Sequence, residues 1–172
     1  GTVTGGTVNL NAEEGIAATT AATTLSVING ATAGAITITE ANDVSVSGSN
    51  AFAAGAVSIT TTDGSITVNA TNLSSNNGVI TLTANDATAD NSTPTGITVT
   101  GTITSGGGAI NLLAADDIAL GANVNATAGT VTITADSAAQ DTAADADGAI
   151  TRTAGTVTGG TVNLNAEEGI AA

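Results

Sequence analysis

Apolar and polar residues alternate along this chain in short bursts that keep returning. The bursts read Val8-Asn9-Leu10-Asn11-Ala12, Ile36-Thr37-Ile38-Thr39, Val57-Ser58-Ile59-Thr60 and Ile80-Thr81-Leu82-Thr83-Ala84. They continue with Ile110-Asn111-Leu112-Leu113-Ala114, Val131-Thr132-Ile133-Thr134-Ala135 and Val162-Asn163-Leu164-Asn165-Ala166. Alternation of β-branched with polar residues marks a strand with one buried face. Successive bursts start 28, 21, 23, 30, 21 and 31 residues apart. Eight or nine residues after most of them stands a second apolar pair: Ile16, Val44/Val46, Ile66/Val68 and Ile118/Leu120. In two rungs that pair is delayed, to Ile97/Val99 and Ile150, by the acidic inserts 85–95 and 136–147. A third, weaker apolar position follows at Leu25/Val27, Phe52, Leu73, Ile103, Val124 and Val157. Gly, Asn and Asp lie between, where a chain turns.

Three short strands and three turns, repeated, predict the coil of a parallel β-helix. No stretch carries the i, i+3, i+4, i+7 spacing of an amphipathic helix. Hairpins are disfavoured because equivalent strands recur at coil spacing, not as adjacent pairs. The expected fold is therefore all-β: a β-solenoid with about six coils per long period. Inward columns are expected from Val8, Ile36, Val57, Ile80, Ile110 and Val131, and from their partners two residues on.

The long period comes from an exact repetition. Residues 1–18, GTVTGGTVNLNAEEGIAA, recur unchanged as residues 155–172, a period of 154 residues. An identity of that length points to tandem duplication. The chain reads as a single continuous solenoid segment over 1–172: one 154-residue repeat plus the first 18 residues of the next. Each coil of such a solenoid buries its inner face only by stacking on its neighbours. The expected partners are thus further copies of the same repeat, end to end.

Composition removes much chemistry. Cys, His, Lys, Met, Trp and Tyr are absent, Phe52 is the one aromatic residue and Arg152 the one basic residue. Without Cys or His there is no thiol nucleophile, imidazole base or zinc site of the usual kinds. A net charge of −14 repels a phosphate backbone, so nucleic acid is not an expected partner. No long apolar run is present, so this segment is not expected to contact a membrane.

The phrases GGTVNLNA and AGTVTITA, with Thr, Asn and Asp between them, resemble the β-helical repeats of filamentous-haemagglutinin-type bacterial surface proteins and giant repeat adhesins. That resemblance implies a right-handed β-helix, secreted to the cell surface, serving as an extracellular filament or adhesin shaft. It also implies contacts with other filaments or host glycans as further partners. No binding motif of that family is present to carry over.

Three candidate sites follow from the residues. The outward Thr, Ser and Asn positions of the first strand form a flat face that suits ice or carbohydrate as an alternative ligand-binding role. The paired carboxylates Glu13/Glu14 and Asp116/Asp117 lack the aromatic or basic residues that hold a sugar beside two acids, so no enzyme is expected. The two inserts carry Asp86 and Asp90, and Asp136, Asp141, Asp145 and Asp147, at one corner of the coil. Oxygen ligands on loops suit Ca²⁺; the competing reading is solvated loops that keep a fibre soluble. No other cofactor is expected. Alternation also places Arg152 where Val46, Val68, Val99 and Leu120 point inward. A local shift that turns it out toward Asp145 or Asp147 is expected.

Overall fold

A computed structural model describes residues 1–87, 96–141 and 148–171. Among these residues every strand pairing is parallel. The strands are β1 (Thr2–Ala12), β2 (Ile16–Asn29), β3 (Ile36–Glu40), β4 (Val44–Asn50), β5 (Val57–Thr61), β6 (Ile66–Ser75), β7 (Ile80–Ala84), β8 (Ile97–Val99) and β9 (Ile103–Ser105). They continue as β10 (Ile110–Ala114), β11 (Ile118–Leu120), β12 (Val124–Asn125), β13 (Thr130–Thr134), β14 (Ala149–Arg152), β15 (Val157–Thr158), β16 (Thr161–Asn165) and β17 (Gly169–Ala171). The chain is a parallel β-solenoid.

The predicted columns are there. On the first face Ile36, Val57, Ile80, Ile110, Val131 and Val162 stack in register. On the second face Val44, Ile66, Ile97, Ile118, Ile150 and Ile170 do the same. Leu73, Ile103, Val124 and Val157 form the third. From Val57 through Ile133 the inward residues of the first face are fully buried. A core without large rings works because like stacks on like: each branched side chain meets a similar shape in the next coil, so packing stays dense.

Three strands per coil hold from β7 upward. Lower in the solenoid the second and third strands fuse, giving the longer β4 and β6, and β2 runs without a break over 14 residues. In the later coils a turn carrying Gly101, Gly121 or Gly155 separates those two faces. Phe52 lies outside any strand and is only half-buried; Gly48 takes the column position beneath Leu73.

The first coil departs from expectation. Val8 and Leu10 do not stand beneath Ile36 and Ile38. They stack under Leu25 and Val27, and Ile16 and Ala18 take the place under Ile36 and Ile38. Either frame puts apolar on apolar, so hydrophobic matching alone does not choose. The later copy of the same segment follows the predicted column: Val162 on Val131 and Ile170 on Ile150.

What chooses is buried polar chemistry at the corners. Glu40 continues the inward parity of Ile36 and Ile38 and is fully buried. Its carboxylate accepts from Thr20 Oγ1 at 2.6 Å, from the Ala22 amide at 3.1 Å and from the Ala41 amide at 2.8 Å. Two of those donors come from the coil below, and only when Thr20 lies directly beneath Glu40, as it does here.

At another corner Asn29, Asn50, Ser75 and Ser105 stack in register. Asn29 Nδ2 donates to Asn50 Oδ1 at 3.0 Å, and Asn50 Nδ2 donates to the Gly34 and Ala56 carbonyls at 3.2 and 3.1 Å. Asn50→Ala removes these three hydrogen bonds from a buried corner. It should cost about 1–3 kcal/mol, read as a lower urea midpoint; an unchanged midpoint would contradict the ladder's role.

Arg152 requires a correction. It stays in register with Leu120, with no shift in the ladder. Its side chain is nevertheless exposed, and Nη1 donates to the Gly155 carbonyl at 2.8 Å. The long flexible stem lets the guanidinium reach solvent from an inward register position. Asp145 and Asp147 lie outside the described residues.

Candidate functional site: the outward hydroxyl face

Because β-strand side chains alternate, the residues between the buried columns must point out. On the first face this gives two outward rows. One runs Thr37, Ser58, Thr81, Asn111, Thr132, Asn163; the other runs Thr39, Thr60, Thr83, Leu113, Thr134, Asn165. Neighbouring members lie about 4.8 Å apart along the axis. Cross-coil hydrogen bonds tie some together: Asn111 Nδ2 donates to Thr81 Oγ1 at 3.4 Å and Asn165 Nδ2 to Thr134 Oγ1 at 3.3 Å. Leu113 interrupts the second row.

A hydroxyl-rich cleft opens elsewhere, where alternation alone gave no sign of it. β6 carries three more residues than β4 between its two paired stretches: Val46 faces Val68, but Gly48 faces Leu73. The surplus bulges outward through Ala70, Thr71 and Asn72, and Asn72 takes the left-handed conformation at φ 72°. Asn69 Oδ1 accepts from the Thr71 amide at 2.9 Å and its hydroxyl at 2.6 Å, which fixes the bulge. The result is an open cleft of about 390 Å³ edged by Ser26, Ser47, Ser49, Thr71, Ser74 and Thr104, with Ile28 exposed beside it. The signal in the sequence was the longer spacing between the Val68 and Leu73 positions.

Three aspartates act as turn chemistry. Asp43 Oδ1 accepts from the Ser65 amide at 2.7 Å, Asp63 Oδ1 from the Ala87 amide at 3.3 Å and Asp117 Oδ1 from the Ala149 amide at 2.8 Å. Each bond staples one coil to the coil above. Asp116/Asp117 and Glu167/Glu168 follow first-face strands, whereas Glu13/Glu14 sit between β1 and β2 in the shifted first coil. The two acidic pairs therefore stand at different corners.

Of the calcium candidates, Asp90, Asp145 and Asp147 lie outside the described residues. Asp86 is buried and forms a parallel bridge with Asp141, so the two inserts do meet at one corner, reaching past the coil of β10. The Asp86 amide donates to the Gln140 carbonyl at 2.9 Å. Asp136 turns left-handed at φ 54°, and its amide bonds the Asp116 carbonyl at 3.1 Å. Among the described residues no three carboxylates converge as a metal cage.

Stacking places many acids along one side of the molecule with a single arginine in the whole sequence. Self-repulsion at this charge is screened by salt within about 10 Å at 0.1 M. The melting temperature should therefore rise between low and moderate sodium chloride. A flat or falling dependence would contradict this.

The fold defines an all-β protein of the parallel β-solenoid class. Comparison with protein-family models, with curated proteins and with solved structures finds no match.

Proposed function

We propose that this chain is a structural segment of a secreted extracellular filament or adhesin shaft, built by end-to-end stacking of tandem copies. One observation carries the reading. The second copy of the repeated segment adds a further coil in register, with Val157 on Val124, Val162 on Val131 and Ile170 on Ile150. A coil added in register buries the inner face of the coil beneath it, so further copies of the repeat can extend the same parallel ladder. The role needs stiffness and reach, not catalysis. Each coil adds about 4.8 Å to the length. The resemblance to filamentous-haemagglutinin-type repeats supports a cell-surface location. Negative-stain electron microscopy of the intact protein tests it: thin rods of uniform width are expected, and compact particles would contradict it.

The outward hydroxyl rows and the cleft beside β6 favour a second reading, a solenoid that binds carbohydrate or ice. Glycan-array binding or ice shaping that is lost on Thr71→Val with Ser74→Ala would select it over a purely structural shaft.

A further inference from the structure

One stretch of sequence occurs twice in this molecule in two different frames, and each frame uses a different side of it. The later copy pairs downward. β15, β16 and β17 lie on β12, β13 and β14, with a corner at Gly159-Gly160, where the Gly160 amide donates to the Gly129 carbonyl at 2.8 Å. The earlier copy pairs upward. β1 runs straight through Gly5-Gly6 and carries β2, with Val8 under Leu25 and Leu10 under Val27, and Ile16 then lies under Ile36. The downward partners of one copy and the upward partners of the other do not compete for the same edge.

We propose that in an array this segment joins successive copies in a shifted frame. Val162 carries Leu25 of the following copy, and Ile170 carries its Ile36. The first-face column of one copy then runs on as the second-face column of the next, because Leu25 lies under Val46. The competing arrangement keeps each column on its own face, with Val162 directly under Ile36 of the following copy. The inference rests on the tandem-array reading above.

Two buried polar groups decide between the frames. In the shifted frame Thr20 lies beneath Glu40, and its hydroxyl and the Ala22 amide satisfy the carboxylate. In the face-keeping frame the residue beneath Glu40 is the equivalent of Ala12, which offers no side-chain donor, and an acidic pair follows it in the chain. A buried carboxylate left with only the Ala41 amide as donor, beside like charges, is strongly disfavoured. The shifted frame also places Asn29 above Ala12, where Asn29 Oδ1 accepts the Gly15 amide at 2.7 Å and the Gly30 amide reaches the Ala12 carbonyl at 2.8 Å. The registers that the junction needs, Val8–Ala12 with Leu25–Asn29 and Ile16–Thr20 with Ile36–Glu40, lie beyond the glycine pair, so a corner at those glycines leaves them available.

The absence of cysteine makes the test clean. In a chain extended by a second copy, with residues 19–172 appended after Ala172, directly stacked outward residues lie within disulfide reach. Asn163 is the equivalent of Asn9, which pairs with Ser26. Asn163→Cys with Ser26→Cys of the following copy should therefore cross-link under mild oxidation. It should do so as completely as the within-copy control Ser58→Cys with Thr81→Cys, a pair in direct register. Asn163→Cys with Thr37→Cys of the following copy should remain reduced. Cross-linking of that second pair overturns the proposal, as does a control that closes while the first pair stays open. Micrographs of the intact protein speak to whether an array exists; these cross-links speak only to its frame.

Discussion

Glu40→Ala should lower stability by about 2–5 kcal/mol, because it strands the Thr20 hydroxyl and the Ala22 amide in a buried corner at about 1–3 kcal/mol for each unsatisfied group, while the Ala41 amide keeps the Thr20 carbonyl at 3.0 Å. Few single changes in a solenoid of small side chains should cost more. Glu40→Gln keeps the shape and one acceptor oxygen, so its cost should be about 1–2 kcal/mol. Urea unfolding of the three proteins reads the series. A Glu40→Ala midpoint no lower than that of Glu40→Gln would mean that the carboxylate is not what holds β2 beneath β3.

The second large effect separates two neighbouring leucines. Leu112 is fully buried between Leu82 and Ile133, whereas Leu113 points outward in the row of Thr83 and Thr134. Leu112→Ala should cost about 2–5 kcal/mol, since neighbouring coils hold the cavity open. Leu113→Ala should lie within about 0.5 kcal/mol of the parent. Equal costs for the two would break the alternation on which the columns rest.

Much of this architecture was legible in the alternation. A period of two cannot hide which face is buried, so the columns of Ile36 to Val162 and of Val44 to Ile150 follow from parity and spacing. The frame of the first coil was not legible that way, because Val8 and Leu10 match Leu25 and Val27 as well as they match Ile36 and Ile38. Glu40 held the missing information: a carboxylate at inward parity must find donors, and only Thr20 and Ala22 supply them from the coil below. The corner ladder of Asn29, Asn50, Ser75 and Ser105 had the same kind of signal, a polar residue two places beyond an inward apolar position. Alternation treats such residues as strand ends, whereas the structure uses them as internal braces. The hydroxyl cleft arises from a surplus of residues in one strand, which becomes visible only when two coils are laid in register.

The most direct test of the solenoid is X-ray diffraction from oriented filaments of the intact protein. Coils stacked along the filament axis place strands across it, so a strong reflection near 4.8 Å is expected on the meridian. A reflection near 4.8 Å on the equator, or none at that spacing, would contradict a shaft built by parallel coils.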